Sequence, residues 1–236
     1  MNDTVSLQSA VYRAHRTPTL NELHRGFRVG AIVTNPNAQL DPERLNGVEG
    51  GALFTQGSLS FRATAFFNQL DGAVANVTVT PTTRVRANSD EIRAKGLELE
   101  ADLRVHPTVT VNGQTTFTAS HYRGSEALPA LAGNRVPQVP RVQFGAGLTW
   151  TPEWLTFAAQ VRGSSSQFDD DLNTPEFELN PFAVFDFSVS RQVARTVQAF
   201  LSAENVFDED YDTGRTPLRT IGWPRTVRVG VRVAIP

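Results

Sequence analysis

The side chains able to do chemistry are few and scattered. His15 and His24 share one long polar segment with Glu22 between them. Imidazoles so far apart, without a scaffold, do not make a zinc-type site. Asp169-Asp170-Asp171 and Asp208-Glu209-Asp210 with Asp212 supply the oxygen ligands that Ca²⁺ takes, but not the spacing of a calcium loop, so they read as solvated charge. Gly163-Ser164-Ser165-Ser166 lacks the strained Gly-x-Ser-x-Gly setting of a hydrolase elbow, and no nearby histidine supplies a base. Glu98, Glu100 and Asp102 with Arg104 mimic an acid pair, yet a row of charges facing water is satisfied without catalysis. The chain has no cysteine, which excludes thiolate metal sites, disulfides and cysteine nucleophiles. No phosphate loop or dinucleotide fingerprint is present. The sequence therefore assigns no catalytic residue, no metal ligand and no cofactor.

Composition narrows the class further. Hydrophobic residues make up 40% of 236 residues and charged ones 19%, too apolar for a disordered chain. A net charge of −2 argues against a nucleic-acid partner, which calls for a basic excess. Met1-Asn2-Asp3-Thr4-Val5-Ser6 has neither a basic start nor an apolar stretch, so no signal peptide is expected. No run is long and apolar enough for a transmembrane helix. A transmembrane strand remains open, because it needs only about ten alternating residues.

The elements that must position any site have a period of two. Leu97, Leu99, Ala101, Leu103 and Val105 alternate with Glu98, Glu100, Asp102, Arg104 and His106. One face is apolar and the other strongly charged, as in a strand between unlike surroundings. Val227, Val229, Val231, Val233 and Ile235 repeat the scheme, as do Leu59, Phe61, Ala63, Ala65 and Phe67. Phe66 and Phe200 interrupt polar faces, and packing against a core or a plug would account for them. The runs predict about ten strands, near 4–13, 45–56, 58–70, 93–105, 108–121, 141–151, 154–167, 182–193, 196–207 and 224–235. Tilted strands of this length span roughly 25–35 Å, the height of a bilayer's apolar core.

The connections alternate between short and long. Turns near Gln56-Gly57, Pro107, Pro152 and 193–196 are tight, whereas 15–44, 71–92, 122–140, 168–181 and 208–223 are long. Short turns on one side and long loops on the other mark an up-and-down outer-membrane barrel; a soluble sandwich would mix the two at both ends. The fold class expected is all-β, an antiparallel up-and-down transmembrane β-barrel of about ten strands.

Two motifs then carry a resemblance. Ala203-Glu204-Asn205-Val206-Phe207-Asp208-Glu209-Asp210-Tyr211, followed by Gly222-Trp223-Pro224-Arg225-Thr226-Val227-Arg228-Val229-Gly230, closely resembles the C-terminal signature of TonB-dependent outer-membrane receptors. Tyr12-Arg13-Ala14-His15-Arg16-Thr17-Pro18-Thr19-Leu20-Asn21-Glu22-Leu23 is similar to a second segment of that family. Asn35-Pro36, Leu40-Asp41-Pro42-Glu43 and Gly96-Leu97-Glu98 follow in family order. The same residues have plain physical roles. The prolines fix strand ends, Asn205 and Asp208 are able to bond their own backbone, and Phe207, Tyr211, Trp223, Trp150 and Trp154 suit the lipid–water girdles.

The resemblance implies a 22-stranded barrel with an internal plug, of which residues 1–236 form the C-terminal segment, with no plug domain and no signal peptide. It implies a bacterial outer-membrane location, with lipid around the barrel. It also implies uptake of a scarce nutrient, most readily a ferric siderophore or other iron complex, powered by the TonB complex through the missing plug. Arg25, Arg28, Arg84 and Arg86, in the first two long loops, are then the candidate ligand-binding residues. Guanidinium pairs well with carboxylate and catecholate oxygens. A small passive porin-like or structural barrel is the alternative. An open sheet of this length would invite aggregation, so closure, or pairing with another chain, is expected.

Overall fold

The computed structural model describes residues 4–123 and 128–234; the expected last-strand position Ile235 lies outside them. Ten long strands follow one another: β1 Val5–Arg16, β2 Glu43–Gln56, β3 Leu59–Thr80, β4 Thr83–His106, β5 Val109–Tyr122, β6 Val142–Trp150, β7 Thr156–Ser164, β8 Phe182–Ala194, β9 Val197–Glu204 and β10 Thr226–Val233. Each pairs antiparallel with the next in chain order. A short ribbon, Phe27–Val29 against Ile32–Asn35, joins the same sheet by a parallel pairing of Val33 with Thr83 on β4. The expected closure does not form. β1 and β10 end the path without pairing each other, so the sheet is a curved wall with two free edges.

Register carries the apolar pattern from strand to strand. Leu103 faces Val111, which faces Leu148, then Ala159, Phe187, Ala203 and Val227 in successive pairings. A one-residue slip anywhere would move the whole apolar set to the polar face. Val227 is 60% exposed and Leu148 37%, so this face is not a protein core. The free energy such side chains would gain by leaving water, roughly 1.5–3 kcal/mol each, is collected only if an apolar medium surrounds the wall.

The two aromatic interruptions each lie opposite a glycine, Phe66 opposite Gly96 and Phe200 opposite Gly230. A methyl group on Gly96 would lie 2.5 Å from Phe66 Cζ, and one on Gly230 would lie 2.6 Å from Phe200 Cζ. Each ring covers the bare backbone of a cross-strand glycine. Tyr12 does the same over Gly47, and its hydroxyl donates to Asn68 Oδ1 at 2.8 Å.

The second of the predicted long loops is largely not a loop. β3 and β4 run past the apolar belt and pair almost to residues 80 and 83, closing in a tight turn at Pro81-Thr82. Val74, Val77, Thr78 and Val79 are β-branched and favour extended backbone, and cross-strand pairs persist from Ala73–Ser89 to Thr80–Thr83. Alternation fades in this stretch, where Ala73, Val77 and Ser89 are buried, and this hides a strand from a periodicity search. The other long links, and the four short turns, fall where expected. At the outer end the buried residues Val77, Tyr122 and Leu131 make a small cluster, with Ile92, Leu128 and Val136 packed around it.

Candidate functional site

The outer rim is built from four links that cap the wall, between residues 16 and 43, 122 and 142, 164 and 182, and 204 and 226. The first holds a short helix, α1, Leu20–His24. Thr19 begins it with a capping box: its hydroxyl accepts from the Glu22 amide, and Glu22 accepts from the Thr19 amide at 2.7 Å. Such reciprocal bonds satisfy two otherwise orphaned donors. Arg16, at the end of β1, reaches both Glu22 (3.0 Å) and Glu43 (2.5 Å). The Arg16 hydrogen bond holds the Glu22 carboxyl down to about 2, and holds Glu43 below its usual range as well. His15 lies on β1 and His24 in α1.

The four sequence-nominated arginines are placed differently from one another. Arg86 is 8% exposed; its Nη1 donates to the carbonyls of Asn21 and Arg25, and its guanidinium lies over the Phe27 ring at 5.3 Å. Arg25 meets it only through that carbonyl, and its side chain is exposed. Arg28 is exposed on the ribbon and donates from Nε to the Gly30 carbonyl at 3.0 Å. Arg84 projects from β4 toward the last link, donating from Nη2 to Thr216 Oγ1 at 2.8 Å.

The acidic run is not solvated. Asp169, Asp170 and Asp171 are all buried, at 8%, 5% and 5% exposure. Asp169 Oδ2 accepts from the amides of Arg215 (2.6 Å) and Thr216 (2.7 Å), and its Oδ1 from Gln138 Nε2 (2.7 Å). Asp170 accepts from the amide and hydroxyl of Thr174. Asp171 accepts from the amide and hydroxyl of Thr78, at 3.0 and 2.7 Å. The run ties the β3–β4 hairpin, the 123–141 link and the 205–225 link together. Amide donors replace water, which lets carboxylates be buried without a cation. Among the described residues no cluster of His, Asp or Glu is arranged to hold a metal ion. Adjacent burial of three aspartates leaves no periodic signal, so the sequence alone does not reveal it.

In the second acidic segment, Asp212 is buried between Arg215 (2.8 Å) and Arg219 (2.7 Å). Burial alone would raise its carboxyl; the two arginines outweigh it and hold it below the usual range. Asp208 accepts from the amide and guanidinium of Arg225 at the start of β10. Asn205 and Asp208 both take left-handed backbone, φ 49° and 58°, which asparagine and aspartate tolerate better than other side chains. The Asn-Val-Phe-Asp motif is thus a turn that leaves β9, earlier than its predicted end at 207.

Two cavities at this end adjoin Arg84 and the polar face of the wall. The outer one, about 400 Å³, is lined by Phe27, Val29 and Ile32 of the ribbon, by Arg84, Asn76 and Gln138, and by Thr213–Thr220 residues including Thr216 and Leu218. Of the four nominated arginines it takes only Arg84. The inner one, about 540 Å³, lies on the polar face of the wall against Glu98, Glu100, Gln114, Gln143, Arg162 and Asp212. Gln138 and Thr213 line both, so the chambers adjoin. Either volume falls within the range of small-molecule sites.

A wall of long up-and-down strands, apolar outside and polar within, with long links roofing one end, defines a barrel segment of the outer-membrane type. The chain matches the family described as "TonB dependent receptor-like, beta-barrel" over residues 1–206 and belongs to that family. Over 156 residues it is 28% identical to the "Ferrichrome outer membrane transporter/phage receptor" of Escherichia coli (strain K12), across 59% of this chain and 20% of that protein. Among solved structures, the siderophore receptor PiuA from Acinetobacter baumannii superposes with a TM-score of 0.77 at 20% identity, covering 98% of this chain and 34% of that one. The ferric yersiniabactin uptake receptor FyuA from Yersinia pestis gives 0.74 at 19% identity, covering 99% and 35%. At these identities the structural likeness shows the fold. The chain spans about a fifth of the curated relative and about a third of the solved ones. The family and its relatives place it in the bacterial outer membrane. The open sheet follows the arc of these larger barrels, which is why ten strands do not meet edge to edge.

Proposed function

We propose that this segment forms part of the wall and outer mouth of a TonB-dependent receptor that takes up a ferric siderophore or other iron complex. Lipid covers the apolar face, further strands of the same barrel pair the edges of β1 and β10, and a plug fills the polar face and receives energy from TonB. The single observation carrying this reading is the outer cavity, in which one guanidinium, Arg84, stands among apolar walls and threonine hydroxyls at the entrance to a polar chamber. The cation offers a planar pair of donors to a ligand oxygen, and the surrounding apolar side chains lower the local dielectric and strengthen that bond. Iron-complex receptors among the relatives support the ligand class. Membership of a receptor family favours this reading over a passive porin.

The test is equilibrium binding of iron(III) chelates to the full-length receptor carrying this segment. Losing one charge-assisted bond should weaken binding of the recognised chelate roughly tenfold in Arg84→Gln. Arg28→Gln, whose guanidinium faces its own ribbon, should bind as the parent does. Equal affinity of the Arg84→Gln variant and the parent would remove Arg84 from the site.

A further inference from the structure

We propose that the short-turn end of the wall holds the headgroup of a negatively charged phospholipid, with the Arg191 guanidinium on its phosphodiester and Trp150 and Trp154 beside its ester groups. The proposal rests on the reading that lipid covers the apolar face, and not on what the outer cavity binds.

Register puts Arg191 on the face where a charge is least expected. Trp150 pairs with Phe157, Phe157 with Val189, Val189 with Leu201 and Leu201 with Val229, one apolar row of the wall. Arg191 stands on the same side of β8 as Val189, paired with Ala199, which pairs with Val231. Among the described residues, every other paired position of this face from β6 to β10 is uncharged. A guanidinium facing lipid is costly at mid-bilayer and tolerated where it reaches the headgroups. β8 ends at Ala194, in the short turn to β9, so the Arg191 stem needs to bridge only a small depth to bring its charge to that interface.

What the cation meets there is aromatic. Its guanidinium carbon lies 6.0 Å from the centre of the Trp154 ring, and Trp154 packs edge-on to Trp150 with centroids 6.4 Å apart. Thr156 pairs with Ser190, so the β6–β7 turn that carries Trp154 lies beside Arg191. Trp154 is 56% exposed, and Arg191 is exposed as well. Among the described residues Arg191 has no hydrogen bond and no ion pair, and neither indole N–H has an acceptor. Contact with a ring holds the guanidinium by its face and leaves its in-plane N–H donors free. Two parallel donors of that kind match two oxygens of a phosphodiester. Indole N–H groups suit the ester oxygens just below it. Glu153 precedes Trp154 without pairing with Arg191, and Arg195 adds a second cation in the β8–β9 turn. Two cations against one carboxylate favour a headgroup of net negative charge over a zwitterionic one.

The test is native mass spectrometry of the full-length receptor in an uncharged detergent, titrated with phosphatidylglycerol or with phosphatidylcholine of the same acyl chains. The parent should bind its first phosphatidylglycerol about tenfold more tightly than its first phosphatidylcholine. Arg191→Gln should lose about tenfold in affinity for phosphatidylglycerol and keep the parent's affinity for phosphatidylcholine. Arg191→Lys keeps the charge without the planar pair of donors and should fall between. Arg228→Gln, on the polar face, removes an equal charge and should bind both lipids as the parent does. Equal affinity of the parent for the two lipids overturns the proposal. So does an unchanged preference in Arg191→Gln, or an equal loss for both lipids, which a merely structural arginine would give. Displacement of phosphatidylglycerol by inorganic phosphate at the lipid's own concentration also overturns it, since the acyl chains would then contribute nothing. Each of these outcomes leaves uptake of iron complexes standing.

Discussion

Gln138 Nε2 donates to Asp169 Oδ1 at 2.7 Å, and this bond joins two of the outer links at the point where the two chambers meet. Gln138 itself takes left-handed backbone, φ 57°, and its amide donates to the Phe168 carbonyl at 2.8 Å. A non-glycine residue held in that conformation costs of order 1–3 kcal/mol and persists only where its surroundings fix it. Here the fixing group is Asp169, whose second oxygen also holds the amides of Arg215 and Thr216. The partition between the chambers and the last link are therefore one hydrogen-bonded unit.

Asp169→Ala should open that unit without unfolding the wall. The change orphans the Arg215 and Thr216 amides and the Gln138 side chain, at about 1–3 kcal/mol for each buried donor. Hydrogen exchange at Arg215, Thr216 and Gln138 should accelerate at least tenfold, while amides of β5 to β8 keep the parent's rates. Asp169→Asn retains an acceptor oxygen and should fall between the two. Equal acceleration along β5 to β8 would mean that the clasp supports the barrel rather than the rim.

Acid should release the first link. Glu22 titrates at about 2 in the folded chain against a usual 4.5, so its stabilising contribution is complete above about 4.5 and fades as pH falls toward 2. Arg16 stays charged throughout, its pKa raised by Glu43 and Glu22. Amide exchange at Glu22, Leu23 and Arg25, corrected for its intrinsic pH dependence, should therefore rise between these limits. Glu22→Gln should show the faster exchange already at neutral pH, and no further step on acidification. Thr19→Ala, which loses the N-cap hydroxyl, should cost α1 about 1 kcal/mol.

How far the sequence discloses this molecule depends on what each residue faces. Leu97 to Val105 read as a strand because one side is apolar and the other charged, and Leu103 and Val111 are found paired as that alternation requires. Val74 to Val79 lie in the neighbouring strand, β3, at its outer end, where Ala73 and Val77 are buried, Val79 is exposed and the alternation disappears. The fold was legible wherever two unlike media impose a period of two. The rim was not. Asp169 and Asp171 owe their burial to amides at Arg215, Thr216 and Thr78, far away in sequence, and long-range donors have no local pattern. Arg84 and Arg86 occupy neighbouring positions of one face by spacing, yet one lines a chamber and the other is locked beneath α1, a difference set by the first link's path.

The glycine–aromatic pairs should respond differently to added methyl groups. At Gly230 the new methyl meets ring carbons of Phe200, Cζ at 2.6 Å and Cε1 at 2.8 Å. Gly230→Ala should therefore cost about 1–3 kcal/mol through overpacking, and Phe200→Ala should recover most of it. At Gly96 the methyl would collide with the Phe117 carbonyl oxygen as well as with Phe66. Removing the ring leaves the backbone in the way, so Phe66→Ala should not rescue Gly96→Ala. Urea midpoints of the full-length receptor in detergent, with their double-mutant cycles, decide the point; rescue at both sites would show that the β4–β5 backbone yields.

Asn205 should be the least replaceable residue of the C-terminal motif. It is 2% exposed and in left-handed backbone, φ 49°. Its Oδ1 accepts from the Glu209 amide at 2.8 Å, and its Nδ2 donates to the carbonyls of Glu209 (2.9 Å) and Trp223 (3.0 Å). Its own amide donates to Asp186 Oδ1 at 2.8 Å, so one residue fastens β8, the end of β9 and the approach to β10. Gly at this position keeps the backbone conformation and loses the three side-chain bonds; Ala loses them and adds a left-handed penalty of about 1–2 kcal/mol. Asp keeps an acceptor for the Glu209 amide but turns a carboxylate toward two carbonyls and Asp186. The expected order of stability is Asn, then Gly, then Ala and Asp, measured as urea midpoints of the assembled receptor. Equal midpoints for Gly and Ala would show that the turn relaxes out of the left-handed region once the amide is gone. In that case the motif's asparagine would be there for its hydrogen bonds alone.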